Sequence, residues 1–173
     1  MNILKEDEYL DLVDDQDNVI GKELRSIIYI EKKNNFRAIT GFIKNKQGKL
    51  WIPRRTKDKK IFPLCLDMSV AEHVKSGESY EEGFKRGLQE ELNLNIENIE
   101  YKVLGKLTPQ KGNTACFNMA YEIESDETPN YNRNDFIEYF WLKPIEVLTK
   151  ISDGDKSKDD LIKLINIFYL NKE

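Results

Sequence analysis

The chain has 173 residues, 39% of them hydrophobic, 10% aromatic and 34% charged, a length and composition that suit one globular α/β domain spanning 1–173 without disulfide or metal staples. A net charge of −4 excludes a global basic field for nucleic acid. Cys65 and Cys116 are too far apart for a metal or redox CxxC pair, and neither a secretory leader nor a membrane-length apolar run is present, so a cytoplasmic protein with reduced thiols is expected.

In chain order, the alternation Glu8-Tyr9-Leu10-Asp11-Leu12-Val13 predicts a strand. Asp14–Asn18 reads as a turn and Val19-Ile20-Gly21 as a short return strand. Lys32, Lys33, Asn34 and Asn35 read as a basic linker. Strands at Arg37–Ile43 and Leu50–Pro53 flank Asn45-Lys46-Gln47-Gly48, which has hairpin chemistry. Phe84, Leu88 and Leu92 recur at helical intervals and predict a helix from Ser79 to Leu92, with Ser79 as its N-cap and Glu81 and Glu82 suiting its dipole. Strands follow at Tyr101–Leu107, Ala115–Ile123 and Phe136–Leu142. Leu161, Leu164, Ile165 and Phe168 predict an amphipathic helix over Asp159–Leu170, with Ser157 as its cap. These elements suggest a mixed sheet covered on both faces by helices.

Chemistry concentrates in the last turns of the first of these helices. Glu90 and Glu91 are adjacent there, and position 87 shares their stretch of helix surface. Neighbouring carboxylates repel, and a hard divalent cation offsets the repulsion; a solvated acidic face is the alternative.

The wider pattern resembles the Nudix box, in which glycine, glutamate, an Arg-Glu pair, an aliphatic residue, a Glu-Glu pair and a final glycine recur at fixed spacing. Glu78, Arg86, Leu88, Glu90, Glu91 and Leu94 stand in register with it. Phe62-Pro63-Leu64-Cys65-Leu66-Asp67, the Asp11–Gly21 region, Arg54-Arg55 and Asp135–Leu142 are similar to Nudix proteins close to isopentenyl-diphosphate isomerase, so the likeness covers about residues 8–150. It implies a Nudix-type α/β/α sandwich with a mixed β-sheet and a loop–helix–loop. The N-terminal β extension would lie at about 8–30, the box at about 72–94 and a terminal helix at about 158–171. It also implies a metal-dependent hydrolase acting on a small-molecule diphosphate linked to another moiety. Glu90 and Glu91 would hold Mg²⁺ or Mn²⁺, Glu78 and Arg86 would brace the loop, and Arg54 and Arg55 would contact phosphate.

Three positions depart from the box. Gly87 replaces the glutamate after the arginine, Glu72 replaces the leading glycine and Asn93 the final one. Asparagine tolerates the left-handed backbone of a helix end. Glu72 could return a carboxylate from the loop and so join Glu90 and Glu91 as a catalytic group; alternatively the domain is catalytically impaired and binds a nucleotide-like ligand or a protein. Asp135 is a further acidic candidate, or a turn residue. Isomerase chemistry is disfavoured: Ala71 stands where the catalytic cysteine would fall and Phe36 where a metal-binding histidine would, the glutamates near Asn113–Thr114 are absent, and only His73 matches. Trp51, Phe117 and Tyr139 could stack a base, with core packing as the alternative.

Overall fold

A computed structural model describes residues 7–95, 97 and 99–171. Its elements run β1 (Tyr9–Val13), β2 (Val19–Leu24), α1 (Arg25–Ile30), β3 (Arg37–Lys44), β4 (Leu50–Arg55), β5 (Val70–His73), α2 (Tyr80–Leu92), β6 (Tyr101–Leu107), β7 (Phe117–Glu124), β8 (Phe136–Leu142), α3 (Pro144–Ser152) and α4 (Asp159–Ile165). The last of these continues as a π-helical turn over Asn166–Leu170. β1 and β2 form a separate antiparallel ribbon. The main sheet runs β6-β7-β3-β4-β8, with β5 also paired to β3; β3 and β7 are parallel and the other pairs antiparallel. The sheet is therefore mixed, as expected.

Alternation along β3 divides the core in two. Ile39 and Ile43 join Trp51, Val70, Tyr121 and Phe136 under Phe84, Leu88 and Leu92 of α2. Phe42, with Leu50, Ile52 and Met68, packs instead against Val147 of α3 and Leu161, Leu164 and Ile165 of α4. At Gly41 the layers meet so closely that a Cβ would lie 2.7 Å from Val70 Cγ1 and 2.8 Å from Phe84 Cε2, so only glycine lets α2 settle there. Among the described residues, no helix is long and apolar enough to cross a membrane.

The N-terminal ribbon is pinned through its turn. Asp17, at a left-handed φ of 68°, accepts from Arg37 Nε at 2.7 Å, Tyr80 Oη at 2.9 Å and Lys106 Nζ at 2.7 Å, joining the ribbon to β3, α2 and β6.

Several expectations need correction. β2 extends to Leu24, and α1 precedes the stretch read as a linker. β7 begins at Phe117 rather than Ala115, whose N–H instead donates to Asp160. Ser157 does not cap α4: the N-cap is Lys158, without a side-chain cap bond, because Ser157 lies in an extended segment paired with Leu66. β5 and α3 are additional, being too short or too weakly patterned to stand out.

Candidate active site

α2 is held at both ends. The Glu82 N–H donates to Ser79 Oγ at 3.2 Å and the Ser79 N–H to Glu82 Oε2 at 2.7 Å, a reciprocal capping box. At the other end Asn93 takes the expected left-handed conformation, φ 52°, and its side-chain amide donates to the Asn130 carbonyl at 2.6 Å. The Asn132 N–H donates to the Glu91 carbonyl at 2.7 Å, so the loop before β8 fixes the turn that carries Glu90 and Glu91.

Glu78 and Arg86 come together as a two-pronged pair. Arg86 Nε donates to Glu78 Oε1 at 2.8 Å and Nη2 to Oε2 at 3.0 Å, while Nη2 also reaches the His73 carbonyl at 2.7 Å. Burial alone would raise Glu78, but the bonds from Arg86 and the Lys75 N–H hold it below its ordinary value. The loop between β5 and α2 is thereby tied to the helix. Arg86 Nη1 lies 3.7 Å from a Glu72 carboxylate oxygen and 3.6 Å from one of Glu90, yet it is buried and makes no hydrogen bond. A cationic nitrogen thus stands between two of the three candidate carboxylates.

Glu72 and position 87 face each other across the β5–α2 contact. A Cβ on Gly87 would lie 3.0 Å from Glu72 Cγ, 3.1 Å from Val70 Cγ2 and 3.4 Å from Glu72 Cβ. The stem of Glu72 therefore occupies the space that a side chain at 87 would enter. Glu91 is only 7% exposed and accepts from the Ala71 N–H at 3.3 Å. Burial, then the charges of Glu72 and Asp67, push its carboxyl well above the usual range. Among the described residues no three acidic, histidine or cysteine side chains yet converge closely enough to chelate an ion. The donor chemistry still fits a hard divalent cation: carboxylate oxygens around a carboxyl that burial, and then neighbouring negative charge, make reluctant to ionise.

The two arginines of β4 part company. Arg54 pairs with Glu138 and, at 2.9 Å, with Asp155, and it lies over the Phe140 ring. Arg55 pairs with Asp67 at 2.8 Å and donates to the carbonyls of Phe62 and Ile61, both at 3.1 Å. Asp67 is 2% exposed and also meets Lys158 Nζ at 3.3 Å. Sequence reasoning overlooked Asp67 and Lys158. The acid inside an apolar run hinted at a buried partner; Lys158 had no local signal. Asp135 pairs with Lys59, and its charge reaches Glu91.

Of the aromatic candidates, Trp51 and Phe117 are in the core, whereas Tyr139 is 38% exposed and stacked on Trp51 at 5.7 Å. His73 lies among Tyr29 and Phe36 and shares a 2.8 Å hydrogen bond with Tyr29 Oη.

The profile of the NUDIX domain matches residues 34–165. An uncharacterized Nudix hydrolase of Nostoc sp. is 51% identical over 164 residues, covering 95% of this chain and 97% of its own. A crystal structure from Deinococcus radiodurans superposes with a TM-score of 0.86 at 39% identity, over 94% of this chain and 99% of that one. An isopentenyl-diphosphate Delta-isomerase of Kocuria rhizophila is 25% identical over 149 residues, covering 83% of this chain and 82% of its own, which agrees with the subgroup likeness. With an α/β/α sandwich, a braced loop–helix–loop and these relatives, the chain belongs to the Nudix hydrolase family.

Proposed function

We propose that this protein is a metal-dependent pyrophosphohydrolase that cleaves a diphosphate linked to another moiety, acting as a single cytoplasmic domain. The carrying observation is the buried Glu91 carboxyl, which accepts from the N–H of Ala71, the neighbour of Glu72 in β5, and stands next in sequence to Glu90 on a helix fixed at both ends. Glu90 and Glu91 would hold Mg²⁺ or Mn²⁺. Bound there, the ion would polarise the phosphoryl group and make an attacking water a stronger acid. Glu72 supplies the carboxylate that position 87 lacks and accepts the proton of that water. Glu78 and Arg86 keep the loop and helix in register. Arg55 fixes the loop through Ile61 and Phe62 on the diphosphate side, and Arg54, paired with Glu138 and Asp155, would reach phosphate only by exchanging one of these partners.

The alternative, an impaired domain that binds a nucleotide-like ligand or a protein, rests on Gly87. The filling of its space by Glu72 favours the working enzyme. The test is a phosphate-release screen of nucleoside diphosphate-linked compounds with Mg²⁺ and Mn²⁺. Metal-dependent release that disappears in Glu90→Gln and Glu72→Gln supports the assignment; no release with any compound, together with no metal-induced rise in melting temperature, refutes it.

A further inference from the structure

Beside the acidic helix end lies a cationic arrangement that the carboxylate chemistry does not use. Three extended segments meet there. The Arg55 N–H donates to the Cys65 carbonyl at 3.0 Å and the Asp67 N–H to the Pro53 carbonyl at 2.9 Å; the Leu66 N–H donates to the Lys156 carbonyl at 2.8 Å and the Lys158 N–H to the Leu66 carbonyl at 3.0 Å. Backbone pairing thus brings Arg55, Asp67 and Lys158 side by side, although they are distant in sequence.

Two cations share one buried carboxylate, Asp67. Arg55 has spent its guanidinium: Nη1 on Asp67, Nε on Phe62 and Nη2 on Ile61. Lys158 is more exposed, at 21% of its side chain against 13% for Arg55, and its ammonium has three protons with Asp67 at 3.3 Å as its one recorded ion-pair partner among the described residues. The segment paired with Lys158 runs on from Asp67 into β5, whose Ala71 N–H donates to Glu91 at 3.3 Å, so one continuous stretch of backbone joins Lys158 to the acidic end of α2. A compact ammonium with spare donors, held by a buried acid, is suited to anionic oxygens.

We propose that Lys158 binds the phosphate oxygens of the diphosphate beside Glu90 and Glu91, with Asp67 as the residue that positions it. This inference rests on the proposed hydrolase reading.

The test is calorimetric titration of the full chain with methylenediphosphonate, an uncleavable diphosphate, with and without Mg²⁺. Lys158→Gln should weaken binding roughly 10- to 100-fold, the scale of one charge-assisted hydrogen bond, and Lys158→Arg should recover part of it. Mg²⁺ affinity measured alone should change far less than diphosphonate affinity in Lys158→Gln, because Lys158 is not a metal ligand. Lys163→Met, which removes a charge from the helix that follows Lys158, should bind as the native protein does. Equal affinity in Lys158→Gln and native protein overturns the inference while leaving the hydrolase reading intact. If the native protein neither binds the diphosphonate nor is stabilised by Mg²⁺, both fall together.

Discussion

Gly87→Ala probes whether two departures from the family pattern are one adaptation. The added methyl would sit 3.0 Å from Glu72 Cγ and 3.1 Å from Val70 Cγ2, closer than ordinary packing permits. Val70 is 1% exposed and held in β5, so the strain falls mainly on Glu72. Overpacking of this kind costs about 1–3 kcal/mol, and replacing glycine by alanine inside a helix returns about 1 kcal/mol. The net expectation is a loss of about 1 kcal/mol in the native background. With Glu72→Gly the main obstruction is gone, and the same alanine should be neutral or stabilising by up to about 1 kcal/mol. Urea unfolding of the native protein, both single variants and the double variant closes the cycle, with an expected coupling of about 1–2 kcal/mol. The swap Glu72→Gly with Gly87→Glu should keep the metal-dependent phosphate release that Glu72→Gly alone loses. Additivity within about 0.5 kcal/mol would refute the idea that Glu72 fills the place of a side chain at 87.

Other variants test the rest of the site and the fold. Glu91→Gln should leave the metal-free protein at least as stable as native at neutral pH, because it removes a carboxyl that burial makes reluctant to ionise, and it should abolish the metal shift, about 2.7 kcal/mol at a hundredfold excess over Kd. Differential scanning calorimetry with and without Mn²⁺ separates the two effects; a destabilised metal-free variant would contradict the charge argument. Arg86→Ala strands Glu78 and should cost about 2–3 kcal/mol, with amide exchange accelerating most in the loop between β5 and α2. Glu122 is buried with Lys44, Lys102 and Tyr169 around it. Burial acts to raise its carboxyl, but these partners hold it below the ordinary 4.5. Its stabilisation should be complete above pH 4.5 and vanish as pH falls through the lowered folded value, so a deficit of about 3 kcal/mol in Glu122→Gln at pH 7 should shrink in acid unfolding.

The sequence revealed most where side chains repeat at a fixed interval or match a spaced pattern. Phe84, Leu88 and Leu92 marked α2, and the Glu78–Arg86 brace followed from register with the box. β5 was hidden because only four residues pair, two of them facing each way. α1 was hidden because Arg25–Ile30 is a single short stretch of mostly β-branched and aromatic residues. Arg54 and Arg55 looked alike as neighbours, yet successive residues on a strand diverge, and only Arg55 joins Asp67. The meeting of Glu72 with Gly87 was foreshadowed because both depart from one spaced pattern, whereas that of Asp67 with Lys158 depends on tertiary approach between segments that carry no shared local signal.

The backbone ladder between Leu66 and the Lys156–Lys158 segment has a temporal side. It joins the middle of the polypeptide to its closing stretch, and contacts of such wide separation form late in folding. During synthesis Glu90 and Glu91 are made before Lys158, so this ladder can close only after the sequence of α2 is already present. On the proposed role of Lys158, the carboxylates of α2 would accordingly be in place before their phosphate-holding neighbour.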